Sequence, residues 1–130
     1  MKSYASAGTL IIRVILGIIF LAHGLDKFGS GIGNIAGFFE SLGIPAFMAS
    51  VVATVEIVGG IALILGFATR IASVILGIVL IVAIVQAKLG MGFLNGYELD
   101  VALLAMAAHL ALSGSSLLSV DSLFAKKRSV

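Results

Sequence analysis

Four long apolar runs decide what this chain can fold into. They cover residues 8–28, 46–67, 71–87 and 99–118, and each is close to the length of about 20 residues that a helix needs to cross a hydrocarbon layer. The runs are continuous rather than alternating, which argues against the strands of a membrane barrel. Lipid offers no water to backbone N–H and C=O groups, so an open apolar segment there must close its own hydrogen bonds as a helix. Composition agrees. Hydrophobic residues make up 61% of the 130 and charged residues 11%, where a soluble domain carries about 25% charged. The expectation is an all-α membrane protein: one domain, residues 1–130, built as a four-transmembrane-helix bundle in contact with the lipid bilayer.

The opening "MKSYASAGTLIIRVILGIIFLAHG" has the lysine and apolar run of a signal peptide. Its small-residue pattern precedes the run instead of following it, so the segment reads as a first transmembrane helix. Four spans put both termini and the turn at Arg70 on one side. That side holds Lys2, Arg70, Lys126, Lys127 and Arg128, against Lys27 and Lys88 on the other. The positive-inside rule then places both termini in the cytoplasm, with the bundle in a bacterial cytoplasmic (inner) membrane. The basic "AKKR" end is a topology signal on this reading, and no nucleic-acid partner is expected. "VILGI" recurs at residues 14–18 and 74–78, and "DKFGSG" resembles "AKLGMG", as two repeated helix hairpins would produce.

Ionisable residues inside spans are costly, so they report on the bundle interior. At about 100° per residue, Arg13, Gly17, Phe20, Gly24 and Lys27 share a stripe of the first helix. His23 flanks the stripe and Asp26 points away. Ala49, Ala53, Glu56, Gly60 and Leu63 share a face of the second helix, with Gly59 beside it. Small residues such as Gly24, Gly59 and Gly60 let helices approach closely. On the fourth helix Glu98, Ala102, Ala105 and His109 align, with Asp100 opposite. A mid-membrane Glu56 carboxylate needs a partner, and Arg13, about one turn away, is the expected one. Two layers result. Arg13, Glu56 and His109 form a deep one; His23, Lys27, Gln86, Lys88, Glu98 and Asp100 form an outer one. The structural alternative is an ion pair that fixes helix register, with interfacial charges reaching for water.

Several chemistries find no support. The chain lacks cysteine, which removes thiol redox chemistry and cysteine-ligated clusters. No His or Cys pair has zinc-ligand spacing, so no metal is expected. "GSGIGN" lacks the terminal Lys–Ser/Thr of a phosphate loop. A haem held by His23 and His109 is disfavoured by a depth difference of roughly 7 Å. Ser113, Ser115 and Ser116 read as capping and packing residues.

Taken in order, "RVILGIIFLAHGLDKFG", "GFFESLGIPAFMA" with Pro45, "VEIVGGIALILGFATR" and "SVDSLF" resemble the DoxX family of small four-helix bacterial membrane proteins. The resemblance runs over nearly the whole chain. It implies a four-helix membrane bundle and singles out Arg13, His23, Lys27, Glu56 and Arg70. Relatives are associated with quinone-linked oxidation of sulfur compounds or with responses to oxidative stress and aromatic compounds, and many carry oxidoreductase labels. On this reading Glu56 and His109 are the catalytic proton carriers, and Arg13, His23 and Lys27 bind the substrate, a quinone or another small lipophilic molecule. Electrons would come from a soluble or membrane redox partner. Two further readings stay open: a proton-coupled small-solute transporter, expected as a homodimer, and a membrane anchor for a soluble enzyme.

Overall fold

The computed structural model describes residues 2–129, with the side chains of residues 4–94 and 96–124. Among them there is no strand. Helix α1 runs over Lys2–Gly29, α2 over Ile32–Ser41, α3 over Met48–Leu65, α4 over Thr69–Ala83, α5 over Glu98–Ser113 and α6 over Val120–Ser129. The apolar runs thus become α1, α3, α4 and α5, each offset by a few residues at its ends. The fourth stops at Ser113 because Gly114, at φ 64°, turns the chain out of the helix. The basic side chains of Lys2, Lys126, Lys127 and Arg128 lie outside the described residues.

Among the described residues, three segments are long and apolar enough to cross a membrane: Tyr4–Gly29, Met48–Leu65 and Thr69–Met91. Helix α5 has 16 residues and starts with Glu98 and Asp100, so it is shorter and more polar. The third segment is not α-helical throughout. After Ala83 it widens into a π-helical stretch, Ile84–Lys88, then a 3-10 turn, Leu89–Met91. A second π-helical stretch, Phe93–Tyr97, leads into α5.

Helix α1 packs chiefly on α3 and α4 chiefly on α5, while α3 touches α4 and α1 touches α5 more lightly. The contacts close a ring around Leu16, Phe20, Leu63, Leu76, Leu80, Leu103 and Leu110. Lipid is as apolar as leucine, so close van der Waals packing has to hold such helices together. The α1–α3 seam supplies it with glycine. A Cβ built on Gly60 would stand 2.7 Å from the Gly17 carbonyl oxygen, and one on Gly24 would stand 2.8 Å from that of Ala53. These contacts set the register: Gly17 faces Gly60, and Gly24 faces Ala53 and Ile57.

The ring has two different ends. At one lie the start of α1, the α3–α4 turn, the end of α5 and α6; this is the latch end. At the other lie Lys27, Lys88, Asp100 and α2, a short helix with no buried residue. That stretch lies between the first two apolar runs. Its half-buried residues, Ile32, Ile35, Ala36 and Phe39, follow helical spacing, and it rests mainly on α3. Pro45 is exposed in the turn before α3, where its missing N–H costs no helix hydrogen bond.

Candidate functional site

The polar residues buried in the bundle gather at its two ends. At the far end Lys27 Nζ lies 2.7 Å from Glu56 Oε1, with 22% and 7% of the two side chains exposed. Lysine reaches this carboxylate because a helical Cβ leans toward the N-terminus, which carries the Lys27 side chain back along α1. A matching pair sits on the other helix pair. Lys88 Nζ lies 3.0 Å from Asp100 Oδ2 and 3.1 Å from Oδ1, and Asp100 is 4% exposed. Lys88 ends the first π-helical stretch and the second lies between it and Asp100, and such departures from α geometry often mark functional sites.

Glu56 therefore does not pair with Arg13. The glycine register places the two about eight residues apart along the helix axis, roughly 12 Å at 1.5 Å per residue. The lean of the Cβ also aims Arg13 away from Glu56, toward the latch end. There the guanidinium, 1% exposed, donates from Nη1 to Ser115 Oγ at 3.1 Å and to the Leu117 carbonyl at 2.9 Å. Its Nη2 donates to the Leu118 carbonyl at 2.9 Å. Leu118 has φ 47°, a conformation that costs a non-glycine residue about 1–2 kcal/mol and persists where its surroundings hold it.

Asp121 completes the latch. Its Oδ1 accepts the Ala68 N–H at 2.9 Å and its Oδ2 the Thr69 N–H at 3.2 Å, so a residue of α6 caps α4. Ala68, also at φ 47°, is thereby fixed. The Asp121 N–H in turn donates to the Gly66 carbonyl at 3.1 Å. Gly66 closes α3 at φ 72°, and a Cβ there would meet the Cβ of Ser119 and an Arg13 nitrogen. Arg70 is exposed and donates from Nη2 to the Ser113 carbonyl at 3.3 Å, at the end of α5. Asp121→Ala is expected to lower stability by about 1–2 kcal/mol, and Asp121→Asn, which keeps one acceptor, by less. Chemical denaturation in detergent measures the difference.

The two histidines stand apart from these centres. His109 is exposed on the opposite face of α5 from Asp100, Leu103, Ala107 and Leu110, and its Nε2 lies 3.0 Å from Thr9 Oγ1. The expected inward face of α5 is thus reversed, and the deep layer of Arg13, Glu56 and His109 does not assemble. His23 is exposed and has no polar partner among the described residues. Thr9 and His23 are 14 positions apart on α1, roughly 21 Å, so the two histidines cannot bracket one haem iron. Among the described residues no group of three or more His, Asp or Glu side chains could hold a metal ion. Glu98 is half-buried and Gln86 exposed.

The family pattern described as DoxX matches residues 8–89, a stretch that contains Arg13, Lys27, Glu56, Gly66 and Arg70. The chain belongs to the DoxX family. This DoxX chain is 48% identical over 114 residues to a Bacillus subtilis (strain 168) protein named "Putative oxidoreductase CatD", covering 88% of the chain and 84% of that protein. It is 34% identical over 70 residues to "Inner membrane protein YqjF" of Escherichia coli (strain K12), covering 54% and 53%. It is 43% identical over 82 residues to "Uncharacterized membrane protein Rv3486" of Mycobacterium tuberculosis (strain ATCC 25618 / H37Rv), covering 62% and 50%. No solved structure matches. The sequence motifs divide between the two ends: the lysine of HG-x-x-K and the glutamate of E-x-x-GG form the far pair, while Arg13, "GFATR" and "SVDSLF" contribute to the latch.

Proposed function

We propose that this DoxX protein is the membrane subunit of a redox system and binds a quinone-class lipophilic molecule at Lys27 and Glu56. The observation that carries this reading is the buried ion pair itself, Nζ to Oε1 at 2.7 Å with its lysine partly exposed. A quinone carbonyl needs a cationic or hydrogen-bonding donor. An ammonium has three N–H donors, and Glu56 occupies only part of that capacity. Reduction of the carbonyls takes up protons, and a carboxylate inside the bundle can carry them. The electrons are assigned to a redox partner protein, since the chain has no cysteine for thiol chemistry. The oxidoreductase name of the Bacillus subtilis relative supports the same class. Arg13 and His109 drop out of the site on this reading, and His23 stays as an exposed neighbour one turn from Lys27 on α1. In the membrane, α5 serves as a fourth crossing and the basic latch end faces the cytoplasm.

Binding of a short-chain quinone to the purified protein tests this. The wild type is expected to bind it saturably. Lys27→Met and Glu56→Gln are each expected to weaken binding by about tenfold or more, about 1.4 kcal/mol, while Asp26→Asn leaves it unchanged. Equal uptake by all four proteins would mean detergent partitioning and would end the reading. One observation favours a second reading, a proton-coupled transporter. Each helix pair, α1–α3 and α4–α5, has its own lysine–carboxylate pair at the same end, as a duplicated hairpin would provide.

A further inference from the structure

The latch end contains an open cleft of about 500 Å³ between the start of α4 and the α5–α6 connection. Thr69, Arg70, Ser115, Ser116, Asp121 and Ser122 are in its lining. In so apolar a chain this is a dense collection of hydroxyls. Capping accounts for only part of it. Ser119 Oγ accepts the Ser122 N–H at 3.1 Å and donates to the Ser116 carbonyl at 2.9 Å, while Ser122 Oγ donates to the Ser119 carbonyl at 2.8 Å. These bonds start α6 in the manner of an N-cap.

The remaining groups are donors in want of an acceptor. Arg70 is exposed, and of its five N–H donors one makes a single long bond, 3.3 Å, to the Ser113 carbonyl. Ser115 Oγ accepts from Arg13, which leaves its own O–H to donate. The exposed Ser116 hydroxyl has no partner among the described residues. Thr69 is 2% exposed, and its Oγ1 has no hydrogen-bond partner. The one carboxylate in the lining is already satisfied, because Asp121 accepts two backbone N–H groups. A guanidinium beside free hydroxyl donors is the chemistry that recognises an oxyanion, and phosphate above all.

We infer that this cleft binds a phosphate group at Arg70, with Ser115 and Ser116 donating to its oxygens. Arg70 stands at the first turn of a segment apolar enough to cross a membrane, the level at which lipid phosphates lie. The phosphate therefore belongs to an anionic lipid head group or, by the same chemistry, to a soluble phosphate.

The test uses the full chain in an uncharged detergent. Native mass spectrometry measures retention of phosphatidylglycerol against phosphatidylcholine, and calorimetry measures binding of inorganic phosphate. Arg70→Gln is expected to lower phosphatidylglycerol retention about tenfold, with partial recovery in Arg70→Lys. Ser116→Ala, whose hydroxyl makes no bond among the described residues, is expected to weaken it severalfold and to fold normally. Arg70-dependent binding of inorganic phosphate assigns the site to a soluble ligand. Arg70-dependent retention of the lipid alone assigns it to the membrane. The inference fails if Arg70→Gln and Ser116→Ala match the wild type for both probes. It also fails if Lys2→Gln lowers retention as much as Arg70→Gln, since charge at this end would then suffice.

Discussion

Lys27→Met is expected to destabilise the bundle by about 3–5 kcal/mol, and Glu56→Leu added to it to restore most of that loss. Removing one member of a buried ion pair strands the other charge, whereas replacing both with apolar groups removes the desolvation cost along with the attraction. The two single variants should differ. Glu56 is 5% exposed, so losing Lys27 leaves a buried carboxylate without its cation. Lys27 has 22% of its side chain exposed and can swing toward the far-end surface, so Glu56→Leu alone should cost less. A double-mutant cycle by reversible unfolding in detergent measures the coupling. A coupling near zero would mean that the 2.7 Å pair contributes nothing to the fold.

Gly60→Leu is expected to abolish the native bundle, a loss beyond the 4–5 kcal/mol that marks an exceptional substitution. The new Cβ would stand 2.7 Å from the Gly17 carbonyl oxygen and 2.7 Å from the Leu21 nitrogen. Both are backbone atoms and cannot move aside, so α1 and α3 would have to separate. Neighbouring glycines calibrate the effect. A Cβ at Gly59 meets only Leu76 side-chain atoms at 3.0–3.1 Å, so Gly59→Ala should cost about 1–3 kcal/mol. Gly37, inside α2, has open space around it, and Gly37→Ala should be neutral or stabilising by up to about 1 kcal/mol. Yield of monodisperse protein and unfolding midpoints rank the three.

Periodicity reached the interior of the first helix pair. Arg13, Gly17, Phe20 and Gly24 are all buried on α1, and Ala49, Ala53, Glu56, Gly60 and Leu63 are the buried residues of α3. Both faces carry glycine or alanine at helical spacing, which lets the two helices approach closely along this seam. On α5 the same method chose the wrong face. Ala102, Ala105 and His109 are as small or as polar as Asp100, Leu103 and Ala107, so the pattern alone does not rank them. The inward face of α5 is marked instead by Asp100, which pairs with Lys88 twelve residues earlier. The partners of Arg13 and Lys27 were illegible for another reason. Stripes give angles, whereas pairing across helices depends on axial register and on the lean of each side chain. The cap that Asp121 gives α4 joins residues 52 and 53 positions apart, and no local pattern carries it.

The latch joins the first-made part of the chain to the last-made part. Arg13 finds its acceptors 102 to 105 residues downstream, at Ser115, Leu117 and Leu118. The α1–α3 pair, with its glycine seam and the Lys27–Glu56 bridge, is complete once about half the chain has been made. Through the remaining synthesis α1 holds a guanidinium that nothing yet solvates from within, and α4 begins without its cap. The last-made segment satisfies both together, so a ribosome product halted before residue 115 has its first helix pair and an unsatisfied arginine.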